Sequence, residues 1–259
     1  MEHTTAVFFD LDNTLIATRR ADERTCDKLK EILNRKYSLS INAAAQICKR
    51  YLKMFRKCPD NHPMDLDTWR KILWSDALGE HSYLTDDIYQ QWLTLRYEYL
   101  SLAPDITHFL KTLRKSHLLA LITNGPSQAQ WEKVEKLDLK SYFDLILVSG
   151  DLPWEKPSAE IFLEACETLA VDPKHCVMIG DKLETDILGG SNAKLLCSVW
   201  VPLGSRQLRE GDPLPDFVVE KVTDFSRLLP QIVKRKSKIL SNVFLADVDD
   251  CNSNGSDGS

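Results

Sequence analysis

Hydrophobic and polar positions along this chain follow two rhythms. Near the start, Ala6-Val7-Phe8-Phe9 is an unbroken apolar run that stops at Asp10-Leu11-Asp12-Asn13-Thr14. Such a run predicts a buried strand whose carboxyl end carries the acidic residues. From about 17 to 101 the spacing turns helical. Ala44, Ile47, Tyr51, Leu52 and Phe55 recur mainly at steps of three and four, as do Ile88, Trp92, Leu95 and Tyr99. The stretch Lys57-Cys58-Pro59-Asp60-Asn61-His62-Pro63 breaks that pattern with two prolines. The region reads as a helical insertion of about four helices.

Beyond Ala103-Pro104-Asp105, helix and strand alternate. Helices are predicted over 106–115, 128–136, 158–170 and 185–193. Strands are predicted over 118–122, Leu145–Val148, 176–179 and 197–201, with a short one at 217–219. This alternation implies an α/β fold, a doubly wound parallel sheet of Rossmann type. The helical insertion after the first strand should form a second layer over one edge. The expected division is a catalytic core of 1–16 and 104–234 and a helical cap of 17–103. A solvated, disordered tail of 235–259 follows the basic run Lys234-Arg235-Lys236-Ser237-Lys238.

Composition narrows the classes. With 43% apolar and 27% charged residues in 259, the chain can bury a core. A net charge of −5 argues against nucleic acid as the partner, so an anionic substrate must be held by local positive charge or a metal. No apolar run approaches the ~18–20 residues of a spanning helix, so no membrane partner is expected. The opening MEHTTAVFFDLD lacks the basic-then-apolar order of a signal peptide. The seven cysteines form no CxxC pair, and most sit in apolar patterns. Together these predict free thiols and a cytoplasmic location.

Ligands of open α/β sheets bind beyond the carboxyl ends of the strands. The residues predicted there are Asp10 and Asp12, Thr123 and Asn124, and Asp181, joined by Lys156 in the loop after Leu145–Val148 and by Asp186. Clustered carboxylates repel one another unless a hard cation such as Mg2+ neutralises them. Lysine and a threonine hydroxyl suit phosphate oxygens. One reaction accounts for the set. A carboxylate attacks phosphorus to form an aspartyl-phosphate, while a second acid two residues on protonates the leaving alkoxide and then activates water.

Singly, each motif is an ordinary turn or helix start. In order, Asp10-Leu11-Asp12-Asn13-Thr14-Leu15, Thr123-Asn124-Gly125, Lys156-Pro157 and Gly180-Asp181-x4-Asp186 resemble the four motifs of the haloacid-dehalogenase-like hydrolases. The resemblance implies Asp10 as nucleophile and magnesium ligand, and Asp12 as general acid/base that also binds metal through its carbonyl. It implies Leu11, Asp12, Thr123, Asn124 and Lys156 around the phosphate. Asp181 would be a direct metal ligand and Asp186 an outer or water-mediated one. The insertion matches the family's mobile cap, hinged near Ala17-Thr18 and Ala103-Pro104.

Ser141-Tyr142-Phe143-Asp144, Glu155-Lys156-Pro157 and Leu183-Glu184-Thr185-Asp186-Ile187-x-Gly189-Gly190 most resemble family members that dephosphorylate a small phosphorylated sugar acid. Nucleoside monophosphates, phosphoglycolate-like esters and phosphomutase chemistry are the alternatives. Lys182 stands where that pattern has a small polar residue, and Pro126 follows the second motif. In the cap, Arg19, Arg20, Arg24 and Arg96 are candidate partners for a substrate carboxylate. Trp69, Trp74, Trp92 and Tyr99 are expected to be cap core.

Overall fold

The structure, a computed structural model, describes residues 6–57 and 64–232. The first strand, β1 (Ala6–Phe9), is wholly buried. Val7 and Phe9 enter one apolar layer, and Ala6 and Phe8 enter the layer on the opposite face. A strand covered on both faces has no solvent side, which is why its sequence shows no alternation.

Around it lie β2 (Leu118–Thr123), β3 (Leu145–Val148), β4 (Cys176–Gly180), β5 (Cys197–Trp200) and the two-residue β6 (Phe217–Val218), all parallel. The order is β3-β2-β1-β4-β5-β6. Phe9 lies opposite Leu121 and Ile179, so the three inner strands finish at nearly the same level. Strands are added in opposite directions on the two sides of β1, which makes its carboxyl end the switch point where ligands bind. Phe109, Leu110 and Leu113 of α5 (Pro104–Leu113) and Val134 of α6 (Ser127–Lys136) cover the Val7 and Phe9 side. Ile161, Phe162 and Ala165 of α7 (Ala159–Thr168) cover the other.

Between β1 and α5 stand α1 (Thr18–Tyr37), α2 (Ile41–Phe55), α3 (Leu66–Leu78), a 3₁₀ segment Gly79–Leu84 and α4 (Thr85–Tyr99). Ser40 and Asp65 cap α2 and α3 by accepting the N–H of Ala43 and Thr68. These helices share their own apolar core, separate from the layers on the sheet, around Leu29, Ile47, Tyr51, Trp74 and Trp92. Tyr51 stacks on Trp74 with centroids 3.8 Å apart and meets Trp92 edge-on.

Three expectations change. The insertion springs from the central strand rather than lying over a sheet edge, and it shares a crevice of about 600 Å³ with the strand-end loops. The helix expected over 185–193 begins earlier, as a wide π-type turn, Leu183–Ile187, that leads into α8 (Leu188–Asn192). Trp69 lines the crevice and Tyr99 packs against the apolar layer of the sheet, whereas Trp74 and Trp92 are fully buried in the cap core. Cys26, Cys48, Cys166, Cys176 and Cys197 are buried free thiols. Cys58, Cys251, the basic run 234–238 and the tail 235–259 lie outside the described residues. Among the described residues, no helix is long and apolar enough to cross a membrane.

Candidate active site

Asp10 follows β1 directly, and its N–H still donates to the Ile179 carbonyl at 2.9 Å, so the carboxylate is fixed to the sheet. Its Oδ1 receives Lys156 Nζ at 2.7 Å and its Oδ2 receives the Thr14 hydroxyl at 3.0 Å. Lys156, 2% exposed, also reaches Asp186 Oδ1 at 2.8 Å and the Ile122 carbonyl at 2.7 Å. Burial disfavours the ammonium, but Asp10 and Asp186 outweigh it and hold Lys156 above the usual lysine range.

The π-type turn after β4 places Asp186. The N–H groups of Asp186 and Ile187 both donate to the Lys182 carbonyl, and Asp186 Oδ2 accepts the Lys182 N–H at 3.0 Å. Gly180 makes room for it, since a Cβ there would stand 2.2 Å from Asp186 Oδ2. One carboxylate oxygen from each of Asp10, Asp181 and Asp186 lies within 4.8 Å of the others. Burial, offset in part by Lys156, pushes Asp10 up to about 6, and burial with the charges of Asp10 and Asp186 pushes Asp181 up to about 7. The Oδ1 of Asp181 is buried without a partner. An all-oxygen set with surplus negative charge and an unsatisfied lone pair fits a hard divalent cation.

Asp12 sits apart from that cluster. Its carboxylate receives Lys133 Nζ at 2.6 and 2.7 Å, Gln130 Nε2 at 3.1 Å and the Thr18 hydroxyl. Burial pushes Asp12 up, but Lys133 and these hydrogen bonds outweigh it and hold the carboxyl far below the usual range. Leu11 buries its side chain, while its carbonyl accepts the N–H groups of Leu15 and Ile16. Any contact of Leu11 with a ligand therefore runs through its main chain.

The hydroxyl of Thr123 is buried without a partner, at the end of β2 beside Asp10. Asn124 is engaged otherwise than expected. Its amide nitrogen donates to the Lys156 carbonyl at 2.8 Å and its oxygen accepts the Lys156 N–H at 3.0 Å, so it orients the lysine loop. The structure thus brings Asp10, Thr123, Lys156, Asp181 and Asp186 to one place, with Asp12 alongside.

Sequence reasoning missed Thr14, Thr18, Gln130 and Lys133 around the two first-motif aspartates. Gln130 and Lys133 lie three apart on α6, a spacing that puts both on the face turned to Asp12. Of the four cap arginines singled out, Arg96 lines the crevice, while Arg19, Arg20 and Arg24 are exposed elsewhere. Arg96, 2% exposed, bonds Asp22 through Nε at 3.1 Å and leaves Nη1 buried and unpartnered. Arg70, absent from the sequence reading, holds Glu132 at 2.6 Å and leaves Nε unpartnered.

The chain is 37% identical to the mouse N-acylneuraminate-9-phosphatase over 233 residues, 88% of this chain and 94% of that protein. The human N-acylneuraminate-9-phosphatase is 36% identical over the same shares. The crystal structure of an HAD phosphatase from Thermococcus onnurineus superposes with a TM-score of 0.59 and 25% identity, covering 87% of this chain and 98% of that one. The family model for haloacid dehalogenase-like hydrolases matches residues 4–194, and the chain therefore belongs to that family and is a phosphoric monoester hydrolase.

Proposed function

We propose that the protein is a Mg2+-dependent phosphatase that releases phosphate from an N-acylneuraminate 9-phosphate through an aspartyl-phosphate on Asp10. The carrying observation is the buried arrangement of Asp10, Lys156, Asp181 and Asp186 at the end of β1, opening on a crevice walled by the cap. The similarity to the two mammalian N-acylneuraminate-9-phosphatases supports the substrate. The buried free thiols support a reducing, cytoplasmic setting.

A carboxylate oxygen of Asp10 attacks phosphorus, the bond to the sugar oxygen breaks, and Asp12 gives that oxygen its proton. Asp12 then takes a proton from water, whose oxygen attacks phosphorus and frees Asp10 and phosphate. Lys156 and the unpartnered Thr123 hydroxyl hold phosphoryl oxygens. Asp10, Asp181 and the Asp12 carbonyl would hold Mg2+, with Asp186 acting from the outer sphere or through water, and the ion would supply charge that offsets those oxygens. Lys133 keeps Asp12 ionised in the structure, the form that accepts the proton of water. Proton donation in the first step requires that contact to loosen. The spare donors of Arg96 and Arg70, whose charges Asp22 and Glu132 already meet, suit hydroxyl or carbonyl oxygens of the sugar, and Phe55 and Trp69 offer an apolar wall for the acyl group.

The test is phosphate release, with Mg2+ and with EDTA, from a panel of monophosphates that includes N-acetylneuraminate 9-phosphate. Strong, EDTA-sensitive preference for that ester is expected. Nucleotide-biased or indiscriminate release would overturn the substrate, and scarcely any free phosphate would overturn the reaction.

A further inference from the structure

Six cationic side chains line the crevice: Arg56, Arg70, Arg96, Lys133, Lys156 and Lys182. Four have a carboxylate in contact. Arg70 holds Glu132 at 2.6 Å, Arg96 holds Asp22 at 3.1 Å, Lys133 holds Asp12 at 2.6 Å and Lys156 holds Asp10 at 2.7 Å. Among the described residues, Arg56 and Lys182 have no ion pair, and both are exposed. Their positions differ in kind. Arg56 ends α2 in the cap, whereas Lys182 is anchored in the core by its N–H on Asp186. Lys182 is also the residue at which the fourth motif departs from a small polar side chain.

Lys182 feels the nearby carboxylates Asp181 and Glu184, but neither forms an ion pair with it: Glu184 is held by Arg206, and Asp181 belongs to the cluster with Asp10 and Asp186. Glu155 is exposed on the core wall and, among the described residues, pairs with neither cation. Two like charges on facing walls of a crevice resist its closing, and the resistance grows as water leaves. The phosphoryl group of a substrate is already provided for by Lys156, Thr123 and the carboxylate cluster, so it does not relieve them. A second anion lying between them does.

We propose that Arg56 and Lys182 are specificity-determining residues that grip a second anionic group of the substrate from opposite walls. The enzyme then selects phosphate monoesters that carry a carboxylate or a second phosphate away from the scissile ester. This rests on the phosphatase reading but not on the sugar acid in particular. Being exposed, the two cations also attract a dianionic ester from solution.

The test compares kcat/KM for N-acetylneuraminate 9-phosphate with that for p-nitrophenyl phosphate, which carries no second anion. The proteins are the wild type, Arg56→Gln, Lys182→Thr and the double variant. Each single change should lower the ratio of the two values about tenfold, chiefly through KM, with a further fall in the double variant. Arg56→Lys and Lys182→Arg should restore most of it. Equal losses on both substrates, or an unchanged ratio, would overturn the proposal. Parallel runs with 3-phosphoglycerate and a sugar bisphosphate separate it from the substrate assignment. If the wild type prefers these over the sialic ester and the variants lose that preference, the assignment fails and the grip stands. If the wild type favours no ester with a second anion, the grip fails.

Discussion

The core and the cap face the same crevice but hold their charges differently. On the core side, Lys156 is tied to Asp10, Asp186 and the Ile122 carbonyl, and its main chain is tied to Asn124 from both ends. On the cap side, Arg96 and Arg70 each hold one carboxylate and keep a buried donor unpartnered, while Arg56 pairs with none among the described residues. The core is therefore preorganised for one chemistry, which is the condition for stabilising charge at no reorganisation cost during reaction. The cap is left incomplete, which is the condition for a ligand to complete it. The reacting groups stand on the core wall, whereas the side chains left for specificity come from the cap and from Lys182 facing it.

The largest expected effect breaks the core side alone. Asp10→Asn should lower turnover by on the order of 10^4-fold or more. Because burial already disfavours the ionised Asp10, the neutral amide should leave the thermal midpoint within a few degrees of the wild type. Activity above a few per cent, read in a coupled phosphate assay, would remove Asp10 from its role. The cap has its counterpart in Trp74→Ala, which empties the aromatic stack with Tyr51 and should cost about 3–5 kcal/mol in denaturant unfolding. A loss below ~1 kcal/mol would mean that the cap core is not what holds these helices together.

Lys133→Met breaks a second part of the core wall, since Lys133 holds Asp12, the residue proposed to transfer the proton. Without it, burial is left to raise the Asp12 carboxyl. The pH–kcat profile should shift upward with a loss of about 10^2-fold, whereas a lysine that merely packs would lower activity without moving the profile. Gly180→Ala pushes a Cβ into Asp186 and should weaken Mg2+ binding about 10–100-fold by titration calorimetry. Undiminished affinity would separate Asp186 from the metal.

The smallest effect is a pH dependence. Asp10 and Asp181 are raised to about 6 and about 7, above the ordinary 3.8. Between about pH 4 and 7 the metal-free native state then holds protons that the unfolded chain releases, so stability falls as pH rises through this window. Divalent metal favours the ionised forms and should flatten that fall. Thermal melts across the window, with EDTA and with Mg2+, check the sign, and Asp181→Asn should flatten the EDTA curve.

The same contrast governs how far the sequence could be read. The Ala6–Phe9 strand was legible because a strand buried on both faces is an unbroken apolar run. Asp10, Thr123, Lys156 and Asp181 were legible as site candidates because parallel strands deliver their last residues to one edge, and short local motifs mark those ends. The π-type turn was not, because it arises from the accommodation of Asp186 against Gly180 rather than from hydrophobic period. Arg70 and Lys133 were hidden because their partners Glu132 and Asp12 are 62 and 121 residues distant, and helix position alone does not show which partner a helix face will meet. The resemblance of the Thr123-Asn124-Gly125 motif puts Asn124 beside the phosphate. Its reciprocal bonds to Lys156 appear only when two loops are folded side by side.

The central claim is that Asp10 becomes covalently phosphorylated. The most direct measurement is an acid quench during turnover of N-acetylneuraminate 9-phosphate, followed by borohydride reduction and peptide mass spectrometry. An acyl phosphate on Asp10 is reduced to homoserine, so homoserine at position 10, dependent on substrate and absent from Asp12, is the predicted result. Rapid release of phosphate with no reduced aspartate anywhere in the chain would contradict it.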